Sequence, residues 1–388
     1  MGEAGCVCPT QAESKNIDAI IEDNLERFRA GQSRVVRFPN IRAHLGIELL
    51  STFSHLTPNL PIDEVWGNYV LLRLKEALDL PEDKILNVAY DNYIPRADTP
   101  KAYTLQFGIV SLKALHPLTI PNLQEAFVYD RDRFFSADGQ NRVKSAPEQN
   151  IEAFRQRFDQ LDEVFLRHAG QGNVTGRLLG LREDLLKLLQ YDFLKEYAYS
   201  RHLQPCTATI LEMLEAEGFP FWEMPIPESG KHYVEDTFLV EGINDRLHRV
   251  PVRFEGGKFH YAYSDTQTRS LSSKELYEAM RQHEVLPTMP LVILTLVTAP
   301  QMPHLGGRVW QDYAPCHVDL QAKWLGIEER NDTLIYSTGG KKPLSAYRHN
   351  EEFIGFPVLY LTYGPKTFRK VLGHGLEMRV EFKRQVIV

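Results

Sequence analysis

MPLVILTLVTAPQMPHLGG, residues Met289 to Gly307, is the stretch on which the fold turns. Its run from Leu291 to Ala299 carries no charge, and it is too short and too closely flanked by prolines to span a bilayer. The spacing predicts a buried strand over 291–299. Ahead of it, SSKELYEAMRQHEV (272–285) reads as a helix capped by Ser272 or Ser273, with Glu275 early in the first turn. A helix feeding a continuously apolar strand implies at least one parallel pairing, because such strands are usually covered on both faces.

Beyond this stretch the C-terminal third keeps a strand-rich texture. FIGFPVLYLTY (353–363) is largely apolar, and GLEMRVEFKRQVIV (375–388) alternates, with Leu376, Met378, Val380 and Phe382 on one face. Upstream, HRVPVRFEGG and KFHYAYS flank a Gly-Gly turn and predict a hairpin. Further back, IEAFRQRFDQLDEVFL places Ile151, Phe154, Phe158, Leu161 and Phe165 on one helical stripe. A second helix is expected from Thr175 to Tyr199, and a third over TATILEMLEAEGF, ending at Gly218. The GxGxxxG between the first two follows a helix rather than a strand, so it predicts a turn and no dinucleotide fingerprint.

The N-terminal part alternates differently. NIDAIIEDNLERFRAG, NIRAHLGIELLSTFSHL and IDEVWGNYVLLRLKEALDL are helix-like, while SRVVRFP, DKILNVAYDNYI and AYTLQFGIVSL are strand-like. The expected organisation is a disordered tail (1–16), an α/β region (17–148), a helical hairpin region (149–218) and a mixed-sheet region (219–388). The fold class is therefore α+β or α/β, with a mixed β-sheet towards the C-terminus.

Composition excludes several classes. With 388 residues, 43% hydrophobic and 24% charged, the chain can bury a sizeable core. Its net charge of −7 is scattered and no basic stripe is interleaved with aromatics, which argues against a nucleic-acid surface. No signal-like opening and no spanning segment are expected, and four cysteines, two of them in the polar tail, predict a reducing, cytoplasmic setting. MGEAGCVC has Cys6 where an acylation motif wants Ser or Thr, which weighs against a lipid anchor.

Chemistry concentrates after the apolar run. HLGGRVWQDYAPCHVDL (304–320) holds two histidines, two aspartates, a cysteine, an arginine and a Gly-Gly pair. If 291–299 is a strand, this segment leaves its carboxyl end, where ligands gather in open α/β sheets. His304, Arg308, Asp312 and Cys316 are then the candidate catalytic residues. His304 would serve as base to a Cys316 thiolate. Gly306 and Gly307 would allow close backbone approach to a ligand. On an extended segment His317 and Asp319 point the same way, and His374 would complete a facial triad for a divalent metal such as iron, manganese or zinc. In YSTGGKKPLSAYRH (336–349), Ser337, Thr338, Lys341 and Lys342 combine hydroxyls and positive charge suited to an anionic group, without the P-loop spacing. GxSxG, HExxH, paired CxxC and EF-hand patterns are absent from the sequence.

These features favour an enzyme acting on a small polar or anionic molecule, its site on the loop after 291–299. Two alternatives stand beside it: a scaffold that binds a protein partner through the hairpin 151–199, and a non-catalytic small-molecule sensor. An exposed apolar stripe on the hairpin would favour the scaffold, and a hairpin packed against the C-terminal sheet the enzyme.

Overall fold

The computed structural model describes residues 17–32, 34–56, 60, 62–91, 151–168, 174–188, 193–227, 238–246, 248–307, 310–328, 334–336, 348–349 and 352–353. The chain begins with α1 (Ile17–Gln32) and α2 (Pro39–Leu45). Proline opens α2, and Gly46 at φ 67° ends it in the left-handed conformation that glycine adopts without strain. That glycine divides NIRAHLGIELLSTFSHL, expected as one helix, into α2 and the strand β1 (Leu49–His55). SRVVRFP, expected as a strand, is irregular over its described residues, and Val35 there is 94% exposed.

The elements α3 (Ile62–Leu78), β2 (Ile85–Tyr90), α4 (Ile151–His168) and α5 (Val174–Leu188) follow. The second hairpin helix stops well before Tyr199, because the chain returns to the sheet as β3 (Glu196–Ala198). Next come α6 (Tyr199–His202) and α7 (Gln204–Ala216). Of the apolar stripe, Leu161, Leu178, Leu181 and Leu185 are buried by their own chain. Gly180 admits the His168 ring, which a Cβ would meet at 2.7 Å, and His168 Nε2 lies 2.9 Å from Asp184 Oδ2.

The antiparallel part comprises β4 (Val240–Ile243), β5 (Arg249–Pro251), β6 (Arg253–Glu255), β7 (Lys258–Ala262) and β8 (Thr268–Leu271). The expected Gly256-Gly257 turn joins β6 to β7, both glycines at positive φ. Helix α8 (Ser273–Arg281) begins at Ser272 with the reciprocal capping box to Glu275, as expected, and leads to β9 (Val285–Pro287). Two three-stranded antiparallel sheets result, in the orders β5–β4–β9 and β6–β7–β8.

The decisive stretch departs from expectation. Leu291–Ala299 is not a strand: α9 (Met289–Ile293) passes into a π-helical turn (Leu294–Thr298) closed by Ala299 N–H to the Leu294 carbonyl at 2.9 Å. Every residue from Leu291 to Ala299 is buried, and a helix covered all round has no polar face to reveal its period. Its internal polar groups are satisfied, with the Thr298 hydroxyl on Gln321 Oε1 at 2.7 Å and Gln321 Nε2 on the Pro290 carbonyl at 2.8 Å. The strand is instead β10 (His304–Gly306), the opening of the polar segment. Helix α10 (Trp310–Trp324), then β11 (Leu334–Tyr336), β12 (Arg348–His349) and β13 (Glu352–Phe353) complete the described elements.

Five strands form an all-parallel sheet in the order β11–β10–β1–β2–β3. It draws strands from all three sequence regions. Leu50, Val88 and Tyr90 pack into one buried cluster with residues of α7, α9 and α10, including Leu211, Ile293 and Val318. The opposite face is covered by α1, α3 and α5. Among the described residues the molecule is thus an α/β protein with a five-stranded parallel sheet and three smaller antiparallel sheets, one of them the two-stranded β12–β13. Among the described residues, no helix is long and apolar enough to cross a membrane. The expected strands AYTLQFGIVSL and GLEMRVEFKRQVIV, nearly all of FIGFPVLYLTY, and the 1–16 tail lie outside the described residues.

Candidate functional site

Strand order fixes where a ligand has room. The chain builds β1, β2 and β3 outward in one direction, then crosses back to lay β10 on the other side of β1 and β11 beyond it. Connections leaving the carboxyl ends of β1 and β10 therefore part in opposite directions, and such a parting leaves a crevice.

Polar side chains meet between these strands, inside the sheet below that end. His304 sits in register with Leu50, and its Nε2 lies 2.5 Å from Thr52 Oγ1 on the neighbouring strand. The ring is fully buried, and that burial pushes its pKa down to about 3, so the imidazole is neutral near pH 7. Nδ1 has no partner among the described residues. The Trp310 ring covers it, with centroids 4.5 Å apart. Burial also pushes the Tyr90 phenol well above its ordinary range, offset in part by a hydrogen bond with Thr52. Thr52 and His304 thus form one buried hydrogen-bonded pair across β1 and β10, with the buried Tyr90 phenol at the end of β2 near Thr52.

Just past β2, the buried carboxylate of Asp91 accepts from the Ser200 N–H at 2.8 Å, the Ser200 hydroxyl and the Thr175 hydroxyl at 3.3 Å. It ties the end of β2 to the starts of α5 and α6. Below it lies a buried ionic knot. Arg182 grips Glu196 through Nε at 2.6 Å and Nη2 at 2.8 Å, and reaches Glu64 at 2.7 Å. Ser54 donates to Glu196 at 2.8 Å. Burial pushes the Glu196 carboxyl up, but the Arg182 charge and hydrogen bonds outweigh this and hold it below the usual range.

The sequence-predicted residues fare unevenly. His304 does join Thr52 and Trp310, although inside the sheet rather than on a loop. Gly306 is required by packing: a Cβ there would stand 2.4 Å from the Trp310 ring, so the tryptophan, not a ligand, explains the glycine. Gly307 follows, half-buried, at the carboxyl end of β10. Asp312 falls on the first turn of α10. Cys316 is exposed on α10, whereas its expected base, His304, is fully buried and bonds to Thr52, so the thiol–imidazole pairing does not form.

The expected metal pair is corrected as well. His317 and Asp319 lie on a helix, not an extended segment, and two residues on a helix are about 200° apart. His317 is buried, which lowers its pKa, and Asp319 is exposed, so the two do not converge. Among the described residues no group of three His, Cys, Asp or Glu is placed to hold a metal ion. Arg308, Ser337, Thr338, Lys341, Lys342 and His374 lie outside the described residues.

Sequence reasoning missed Thr52, Tyr90, Asp91 and Ser200. The available signal was the YDNY that closes the strand-like DKILNVAYDNYI: an acid directly after an apolar strand sits at its carboxyl end. No family model, curated protein or solved structure matches this chain.

Proposed function

We propose that this chain is an enzyme acting on a small polar or anionic molecule held over the carboxyl ends of β1, β2 and β10. The reversal of strand order between β1 and β10, with the buried Thr52–His304 pair beneath it, carries this reading. A fully buried neutral imidazole does not itself touch solvent or substrate. Its part is positional: it fixes the Thr52 hydroxyl and the backbone leading to Gly306 and Gly307. The substrate meets the segment that follows β10. Turned apart on α10, His317 and Asp319 would not share one metal ion, and Leu161, Leu178, Leu181 and Leu185 of the hairpin are buried.

The test pairs thermal-shift and one-dimensional NMR measurements on the full chain and on Thr52→Val, using a panel of small phosphate esters, carboxylic acids and polyols. At least one compound should raise the melting temperature by mass action and be consumed over time. In Thr52→Val, consumption should fall about tenfold or more while binding persists, because the isosteric change disturbs only positioning. Binding without turnover in the parent protein would replace the enzyme by a sensor. A panel in which nothing binds would overturn both.

A further inference from the structure

Along β3 and the turn into α6, basic side chains collect around one phenol ring. The Lys195 ammonium lies 5.3 Å from the Tyr197 ring centre, and the His202 ring meets Tyr197 edge-on at 4.8 Å. Arg201, between Ser200 and His202, is exposed, and its charge reaches both His202 and His283. His283 comes from the turn after α8 and holds φ 62°, a left-handed conformation uncommon for any residue but glycine. Its buried Nδ1 has no partner among the described residues. Strain of this kind concentrates where structure serves binding.

The two permanent cations of the cluster are held by no carboxylate among the described residues. Arg167, Arg249, Arg269 and Arg281 each have a carboxylate within 3.2 Å, whereas among the described residues neither Lys195 nor Arg201 has one within salt-bridge distance. Asp91, the acid whose charge reaches both imidazoles, already accepts from Ser200 and Thr175.

We propose that Lys195, Arg201, His202 and His283 bind the phosphate group of a small phosphomonoester. Two permanent cations match a dianion better than a single carboxylate charge; burial lowers the pKa of both imidazoles, and a dianion beside them favours their cationic form. Tyr197 supplies a flat wall beside the group. The proposal rests on the reading of the carboxyl end as the ligand end, and adds the chemical class of the ligand.

Isothermal titration of the full chain with inorganic phosphate, at constant ionic strength, tests it. Saturable binding should weaken about tenfold in Arg201→Gln, the expected effect of losing a charge-assisted hydrogen bond. It should also weaken in His283→Asn, whose side chain tolerates positive φ, and stay unchanged in Lys84→Gln at the opposite end of the sheet. Phosphate should raise the pKa of both imidazoles, read from their C–H resonances, with Asp91, Lys195 and Arg201 the fixed charges around them. No saturable heat, tighter binding of acetate than of phosphate, or equal responses to sulfate and chloride would overturn the proposal. If a panel compound binds at the carboxyl ends while Arg201→Gln leaves its affinity intact, the phosphate site fails and the broader reading survives.

Discussion

Replacing Arg182 by methionine removes the cation shared by Glu64 and Glu196 while keeping most of the buried volume. Arg182 is 0% exposed, the carboxylates are 5% and 6% exposed, and three contacts of 2.6 to 2.8 Å join them. Breaking a buried ion pair by removing one partner costs about 3–5 kcal/mol, and here two carboxylates are left behind, which places the loss near the top of that range. Set against a typical total of about 5–15 kcal/mol, the variant keeps only part of its stability.

The sign with pH distinguishes this mechanism from simple repacking. In the native chain the depressed Glu196 carboxyl contributes stability that is present above its unfolded pKa of about 4.3 and is lost as pH falls through the lower folded value. Without Arg182, burial is opposed only by the weaker Ser54 hydrogen bond and raises the carboxyl pKa, so the variant gains stability as pH falls. Urea unfolding at about pH 7 and about pH 5 should therefore show the gap between the two proteins narrowing on acidification. Adding Glu64→Gln and Glu196→Gln should restore part of the loss at the higher pH. A gap below about 1 kcal/mol, or one unchanged between the two conditions, would refute the reasoning.

Three further outcomes are expected. Ser272→Ala opens the capping box of α8 and should lower stability by about 1 kcal/mol in urea unfolding, with Ser272→Asp close to neutral. Gly306→Ala drives a Cβ to 2.4 Å from the Trp310 ring and should cost about 1–3 kcal/mol; combining it with Trp310→Ala should give markedly less than the sum of the two losses. The His304 imidazole should stay neutral by NMR from about pH 8 to about pH 5. Its unfolded form protonates near pH 6.5, so it should make stability fall as pH drops below that value, by at most about 1.4 kcal/mol per pH unit.

What could be read from the residues depended on whether a local signal survives burial. The box at Ser272 and Glu275, the Gly256-Gly257 turn and the starts of α1 and α4 are written in neighbouring residues, and the structure follows them. Leu291–Ala299 carries no such signal, since a wholly buried segment is apolar at every position whether helical or extended. That misreading carried the site with it: His317 and Asp319 converge only on a strand, and α10 turns them apart. Gly46 was a legible boundary within a stretch read as one helix. By contrast, the approach of Thr52 to His304, across 252 positions of sequence, depends on a parallel pairing that no local pattern encodes.

Hydrogen–deuterium exchange of the full chain, with and without the strongest binder from the panel of phosphate esters, carboxylic acids and polyols, tests most directly the claim that ligands are held at the carboxyl ends of the parallel sheet. Slower exchange should be confined to the segments around Asp91, Ser200 to His202 and Gly306 to Gly307. Protection centred instead on the hollow lined by Arg42, Gly46, Glu48 and Lys84, at the amino ends of β1 and β2, would contradict the account.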